Sequence, residues 1–453
     1  MNVFKLLGLA GLVTAASAAL AGPKVTNVRM VQDQSSGKVT ITYHLDKPAV
    51  VTVDVLTNAL QGAGVTIGPE NLVDMAGDAF RRVDAGDRTI VWKPRKSAIG
   101  AAGFVSDGAS VRAAVTAWST NCPPDYLVVD LTSQAADKYA NARFYPLADY
   151  LLGGLTNAAA YRESKLVLKK VPAAGVEWRM GAPSFAVNRN SGDYARTVVL
   201  SRDYYIGVFE MTRQQCINGF GWSSTAEQEK YATLEEWKGA PVPSISWASL
   251  RGASDGTTTP VAPTSGSYLG KLRSKTGGIA FDLPTSAQWE FACRGGTVTA
   301  TPNADFLNYT FCLVDNSKDQ ATPATQAKLN EIAWTIFNGT NEVKGAKVLV
   351  THPVGRLPPN AFGLYDMLGN AHELVIDYFG TVDTLDAAFG SKGFDEPIVD
   401  PCMTTVGTKA ERIRRGGAVS EISWMSAQSF ITGLSAPEDK AWSGFRVVCP
   451  VGL

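Results

Sequence analysis

Histidine is scarce in this chain: His44, His352 and His372 are the only three in 453 residues. No two cysteines have CxxC spacing either, and together these absences exclude a zinc site of the finger or ribbon type. Net charge is missing as well. Lysine plus arginine equals aspartate plus glutamate, 42 against 42, and no basic cluster stands out, so the electrostatic footprint of a nucleic-acid binder is absent. No run of like charge is long enough to be an interaction tail. No fixed-period repeat and no strand–helix alternation of the parallel kind appears, which excludes solenoids and doubly wound folds. Beyond the N-terminal segment no stretch is long and apolar enough to span a bilayer.

What is present reads as a multidomain globular chain. The length predicts two or three domains. An apolar content of 45% and a charged content of 19% are those of an ordinary folded protein. Lys5, the apolar stretch from Leu6 to Ala16, and small-residue cleavage sites ending at Ala18 and Ala21 predict a signal peptide over residues 1–21. The mature protein is then exported: periplasmic, cell-surface or secreted. No cysteine follows the apolar core, so a lipid anchor is not expected. The six cysteines are Cys122, Cys216, Cys293, Cys312, Cys402 and Cys449. An even count in an exported chain permits disulfides, in any of about fifteen pairings. The alternative is buried free thiols, and Cys293 falls on a predicted buried helix face.

Residues 24–118 alternate as strands do. Val39, Ile41, Tyr43 and Leu45 share one face, with Thr40, Thr42 and His44 opposite. Val51, Val53 and Val55 repeat the pattern, with Thr52 and Asp54 opposite. The spacing predicts an immunoglobulin- or fibronectin-like antiparallel sandwich, with His44 on a solvated face. Residues 119–164 are expected to form a connector packing on either neighbour, with Tyr126–Leu131 a candidate strand. From 165 to 453 the pattern is α+β with long loops. Strands are predicted near Leu166–Pro172 and Thr197–Leu200, and helices near Arg213–Asn218, from Ser246, and after a cap at Thr285 or Ser286. Residues 297–350 read as mostly polar and irregular.

Several segments of this last region occur in a telling order. They are Lys170–Ala174 with Met180 and Gly181, Ile206–Thr212 (IGVFEMT), Leu283–Gly296 (LPTSAQWEFACRGG), His352–Gly355 (HPVG), Asn360–Glu373 (NAFGLYDMLGNAHE), Arg415–Gly417 (RGG) and Gly444–Val448 (GFRVV). In that order and spacing they resemble the formylglycine-generating enzyme family, also called sulfatase-modifying factors, whose fold is C-type-lectin-like. The resemblance covers residues 165–450.

The resemblance implies a structural calcium ion held by the side chains of Asp366 and Glu373 and the carbonyls of Gly369 and Ala371; a turn closed by internal hydrogen bonds is the alternative. It also implies a catalytic copper ion on two cysteines, four and nine residues after the second glycine of Arg-Gly-Gly. Those positions hold Glu421 and Ser426, and neither side chain replaces a thiolate toward copper(I). Copper and the family's oxidase activity are therefore not expected. His372 is a candidate acid–base partner for Glu421 if one pocket holds both. Arg446 is expected to pair with an internal carboxylate. Trp424, Phe430 and Trp442 read either as a ligand-binding surface or as core. The leading expectation is a non-catalytic exported module for a protein or glycan ligand. The alternatives are an enzyme with a remodelled site on the same fold, and a structural cell-envelope protein.

Overall fold

The computed structural model describes residues 22–58, 64–96, 98–101, 103–106, 110–182, 195–223, 237–252, 261–296, 323–343, 345–380, 396–404, 410–421, 430–436, 438 and 441–452. The expected signal segment, Cys312, Trp424 and Ser426 lie outside the described residues.

Eight strands build the N-terminal unit: β1 (Val25–Gln32), β2 (Val39–Leu45), β3 (Ala49–Thr57), β4 (Val65–Thr66), β5 (Met75–Gly77), β6 (Arg81–Val83), β7 (Gly86–Trp92) and β8 (Arg112–Ser119). They form two antiparallel sheets, ordered β1-β2-β7-β5 and β4-β3-β6, with β8 on the other side of β3. The period-two pattern dictates this arrangement. Val39, Ile41, Tyr43 and Leu45 are all buried, and they share one core with Val51, Val53, Val55, Ile90 and Trp92 from both sheets. His44 is half-buried and pairs with the exposed Asp87 at 2.8 Å. The second face of β3 departs from expectation. Val50 joins the core of the next unit, the Trp118 indole donates to Thr52 Oγ1 at 2.9 Å, and the Tyr150 hydroxyl donates to Asp54. A face that reads as half polar is covered, because its polar side chains all find partners there.

The segment expected to be a connector is part of a sheet. β9 (Tyr126–Asp130), β10 (Ala142–Tyr145), β11 (Lys165–Val171), β12 (Glu177–Met180), β13 (Arg196–Val199) and β14 (Tyr204–Gly207) follow one another in sequence. β9, β10, β11 and β14 lie in one five-stranded sheet, completed by the last strand of the chain. Leu127, Val129 and Leu131 face the main core, which explains why so short a strand is held.

The remaining strands are β15 (Thr340–Val343), β16 (Ala346–Leu349), β17 (His372–Tyr378), β18 (Ile398–Val399), β19 (Glu411–Arg415), β20 (Thr432–Ser435), β21 (Ser443–Phe445) and β22 (Val448–Pro450). β22 closes the five-stranded sheet beside β14, and a four-stranded sheet runs β20-β19-β17-β21. The β15–β16 hairpin and the helix Pro323–Asn330 give order to a stretch that reads as irregular. Helix Arg213–Phe220 begins at Thr212 and helix Ser286–Cys293 at Thr285, each through a reciprocal capping box with a glutamine. Helix Trp247–Arg251 begins at Ser246. Cys216, Cys293 and Cys449 are buried free thiols, Cys402 is partly buried and Cys122 is exposed. No helix among the described residues is long and apolar enough to cross a membrane.

Candidate functional site

The turn before β17 organises the region. Gly369 (φ 75°) and Asn370 (φ 60°) are both left-handed, and a side chain at Gly369 would strike the Trp334 carbonyl at 2.3 Å. Asn370 then ties four segments together. Its Nδ2 donates to Glu210 Oε2 at 2.7 Å and to the His352 carbonyl at 3.1 Å. Its Oδ1 accepts the His352 amide at 2.9 Å, and its backbone bonds to Trp334 and Val419.

Beneath this turn lie three buried carboxylates, Glu210, Asp366 and Glu373, and one buried arginine, Arg446. Arg446 donates to both oxygens of Glu373, at 2.8 to 3.2 Å, and the Trp289 indole donates to the same carboxylate at 2.7 Å. This is the internal pair expected of Arg446. Glu210 accepts the Ala371 amide at 2.9 Å. Burial pushes its carboxyl well up, and the charges of Asp366 and Glu373 push it further. Burial also raises Asp366 to about 6, against a bond from the Gly355 amide.

These placements bear on the calcium ion that the resemblance implies. Glu373 is already filled by Arg446 and Trp289. Asp366 has one oxygen on Gly355, and only its buried Oδ1 is without a partner. Among the described residues no three His, Cys, Asp or Glu side chains are grouped so as to hold a metal ion. Calcium takes about six to eight oxygens. The side chains as placed do not make such a set.

A second network explains Arg-Gly-Gly. Arg415 donates to Glu290 Oε2 at 2.9 Å and to Ser286 Oγ at 2.7 Å. Arg294 reaches Glu290 Oε1 at 2.6 Å. All three ionic groups are buried. The Trp-Glu-Phe-Ala-Cys-Arg helix is thereby bolted to the strand that carries Arg415, a structural task for residues that persist in both motifs.

The chemistry-bearing candidates meet just past this strand. His372 opens β17 and is buried. Its amide donates to the Trp442 carbonyl at 2.7 Å, and its Nε2 lies 3.2 Å from Glu421 Oε1. Burial holds the imidazole below its ordinary range, while the bond to Glu421 works the other way. Glu421 is partly exposed. Its backbone is fixed by bonds to Ala418 and from the Ile336 amide. The pair thus offers a carboxylate with outward access, backed by an imidazole that favours its neutral form.

Beside it is a feature the sequence did not announce. Trp334 stacks on His352 with ring centres 3.9 Å apart and planes at 13°, and the following Ile336 and Phe337 are 41% and 45% exposed. Nothing periodic marks this stretch, and its aromatic and aliphatic residues were the only available signal. Of the three aromatic residues read as binding surface or core, the described ones lean toward core. Phe430, just ahead of β20, is 8% exposed and belongs with the buried residues. Trp442 is partly buried at φ 65°, and Trp424 lies outside the described residues.

Residues 173–451 match the profile of the sulfatase-modifying factor enzyme 1-like domain. Among curated proteins, the formylglycine-generating enzyme of Mycobacterium tuberculosis is 43% identical over 93 residues, 20% of this chain and 25% of that protein. The mouse formylglycine-generating enzyme is 30% identical over 112 residues, 24% of this chain and 26% of that protein. The chain thus spans about a quarter of the length of each of these two formylglycine-generating enzymes. Among solved structures, Treponema denticola variable protein 1 is 21% identical with a TM-score of 0.41, over 63% of this chain and 95% of that one.

Proposed function

Since the chain belongs to the sulfatase-modifying factor enzyme 1-like family through residues 173–451, we propose that it is a member without the family's oxidase chemistry. In this reading it serves as an exported recognition module for a protein or glycan ligand. The observation that carries the reading is the His372–Glu421 pair. By the family spacing, position 421 is the first of the two cysteine positions and position 426 the second. At 421 stands a carboxylate bonded at 3.2 Å to an imidazole. Oxygen and nitrogen donors are hard or borderline, whereas copper(I) selects soft sulfur. No thiol is offered at either position.

The same residues suit recognition. The Glu421 carboxylate can accept hydrogen bonds from hydroxyl or amide groups of a ligand, and His372 holds it in place. Ile336 and Phe337 supply exposed apolar surface on the segment whose amide bonds to Glu421, and an apolar contact beside a fixed polar group is how small binding sites combine affinity with orientation. The lectin-like reading of the fold agrees with such a role, in which loops present the contacts.

The test is a mass-spectrometric assay of a sulfatase-type cysteine peptide incubated with the mature protein, copper and dioxygen. No change in peptide mass is expected. Conversion of the cysteine by the natural protein would overturn the proposal and return the oxidase reading.

A further inference from the structure

A cleft of about 420 Å³ lies where the N-terminal unit meets the five-stranded sheet, a volume within the usual range for small-ligand sites. Strand register sets its floor. Arg143 on β10 stands across from Val128, and Lys165 on β11 stands across from Asp130. Val128 and Asp130 are two residues apart on β9, so all four side chains share one face. The other face, with Leu127, Val129, Phe144 and Leu166, is core. The wall comes from the N-terminal unit: Arg81 at the start of β6 donates to the Ala140 carbonyl at 2.9 Å, and Phe144 donates its amide to Phe80 at 2.8 Å.

The cleft is therefore lined by Arg81, Arg143 and Lys165, with Asp130, Ser133 and Gln134. Three cations face one carboxylate, and Asp130 Oδ1 is occupied by the amide and hydroxyl of Thr132 at 2.8 and 2.6 Å. Among the described residues none of the three cations makes an ion pair. Arg143 gives one bond, to the Ala142 carbonyl. Arg81 gives one to Ala140, and its buried Nε has no acceptor. The Lys165 ammonium has only the Tyr161 ring, 5.5 Å away. Each guanidinium carries five N–H donors, so most of this donor set is uncommitted. Burial and the neighbouring Arg81 charge push Arg143 down to about 10. Charges so placed are held at a cost that a bound anion would remove.

We propose that this cleft binds an oxyanion, a carboxylate or sulfate group, in the forks of Arg81 and Arg143 with Lys165 as the third charge. Planar guanidinium forks match such groups through paired N–H···O bonds, and the Ser133 hydroxyl adds a neutral donor at the same wall, whereas Gln134 Nε2 already donates to the Ser274 carbonyl at 2.6 Å. The site lies far in sequence from the His372–Glu421 pair, and the proposal stands whether or not that pair binds anything.

Titration calorimetry on the mature protein at fixed ionic strength tests it, with inorganic sulfate, glucuronate and neutral glucose as probes. Saturable binding of at least one anion and none of glucose is expected. Arg143→Gln and Lys165→Gln, separately, should each weaken that binding roughly tenfold with an unchanged circular-dichroism spectrum. Tighter glucuronate than sulfate would assign the site to acidic sugars, and equal affinities to free oxyanions; both support it. Absence of saturable binding by either anion overturns it, as does binding unaltered in both variants.

Discussion

His372 and Glu421 meet across 49 residues of sequence, imidazole Nε2 to carboxylate oxygen, at 3.2 Å. The carboxylate works against burial, which otherwise holds the imidazole low. Glu421→Gln keeps the shape and removes the charge, leaving burial and the Arg414 charge opposed chiefly by the backbone bond at Arg415. The His372 titration, followed by ring-proton NMR, should then move to lower pH than in the natural protein. A move to higher pH would contradict the account of what sets this group's state.

The Glu373–Arg446 pair makes a stability prediction. Both side chains are buried, and their oxygens and nitrogens are 2.8 Å apart at the nearest. Removing one partner strands the other charge, so Glu373→Gln or Arg446→Met should each cost about 3–5 kcal/mol in urea unfolding. A double variant that removes both charges should recover part of the loss. Losses that simply add would mean the pair is not the unit of stability described above.

Asp366 makes a prediction about pH. Its folded pKa is raised from 3.8 to about 6. A raised acid favours folding fully below the unfolded pKa, and that advantage is lost as pH rises through the folded value. Two units correspond to about 3 kcal/mol, as an order of magnitude. Asp366→Asn does not titrate. Its stability relative to the natural protein should therefore rise between pH 4 and pH 6 and level off above. A difference that stays flat across this window would contradict the buried, proton-favouring position assigned to Asp366.

The cysteines make a prediction about accessibility. Cys122 is exposed, whereas Cys216, Cys293 and Cys449 are buried thiols. Burial pushes Cys293 and Cys449 up, the latter to about 12, which suppresses the reactive thiolate. Brief alkylation of the native protein followed by peptide mapping should label Cys122 and spare those three until denaturant is added. A disulfide between any two of them in the mapped peptides would contradict the structure.

Local chemistry was legible in the sequence wherever it acts over a few residues. Thr285 caps its helix as its spacing with Gln288 requires, the β2 alternation separates Val39 and Ile41 from Thr42, and Cys293 is buried on the helix face that its neighbours Trp289 and Phe291 define. Ordered motifs exposed the family, whereas the approach of His372 to Glu421 was an expectation conditional on one pocket holding both. What could not be read depends on distant pairing. Tyr126–Leu131 reads as a candidate strand, but only the pairing of β9 with β10 and β11 places the expected connector in the five-stranded sheet. The stacking of Trp334 on His352 and the third carboxylate Glu210 against Asn370 arise from loops whose course no periodicity encodes.

The most direct test of the central claim is an anaerobic copper(I) titration of the mature protein against a chromophoric chelator, with a Glu421→Cys/Ser426→Cys variant in parallel. The natural protein should leave the copper on the chelator, because its family cysteine positions offer oxygen donors. The variant should withdraw about one equivalent if the pocket retains the family shape. Tight uptake of copper(I) by the natural protein would contradict the account, since a soft-ligand site would then exist where Glu421 and His372 are assigned to recognition.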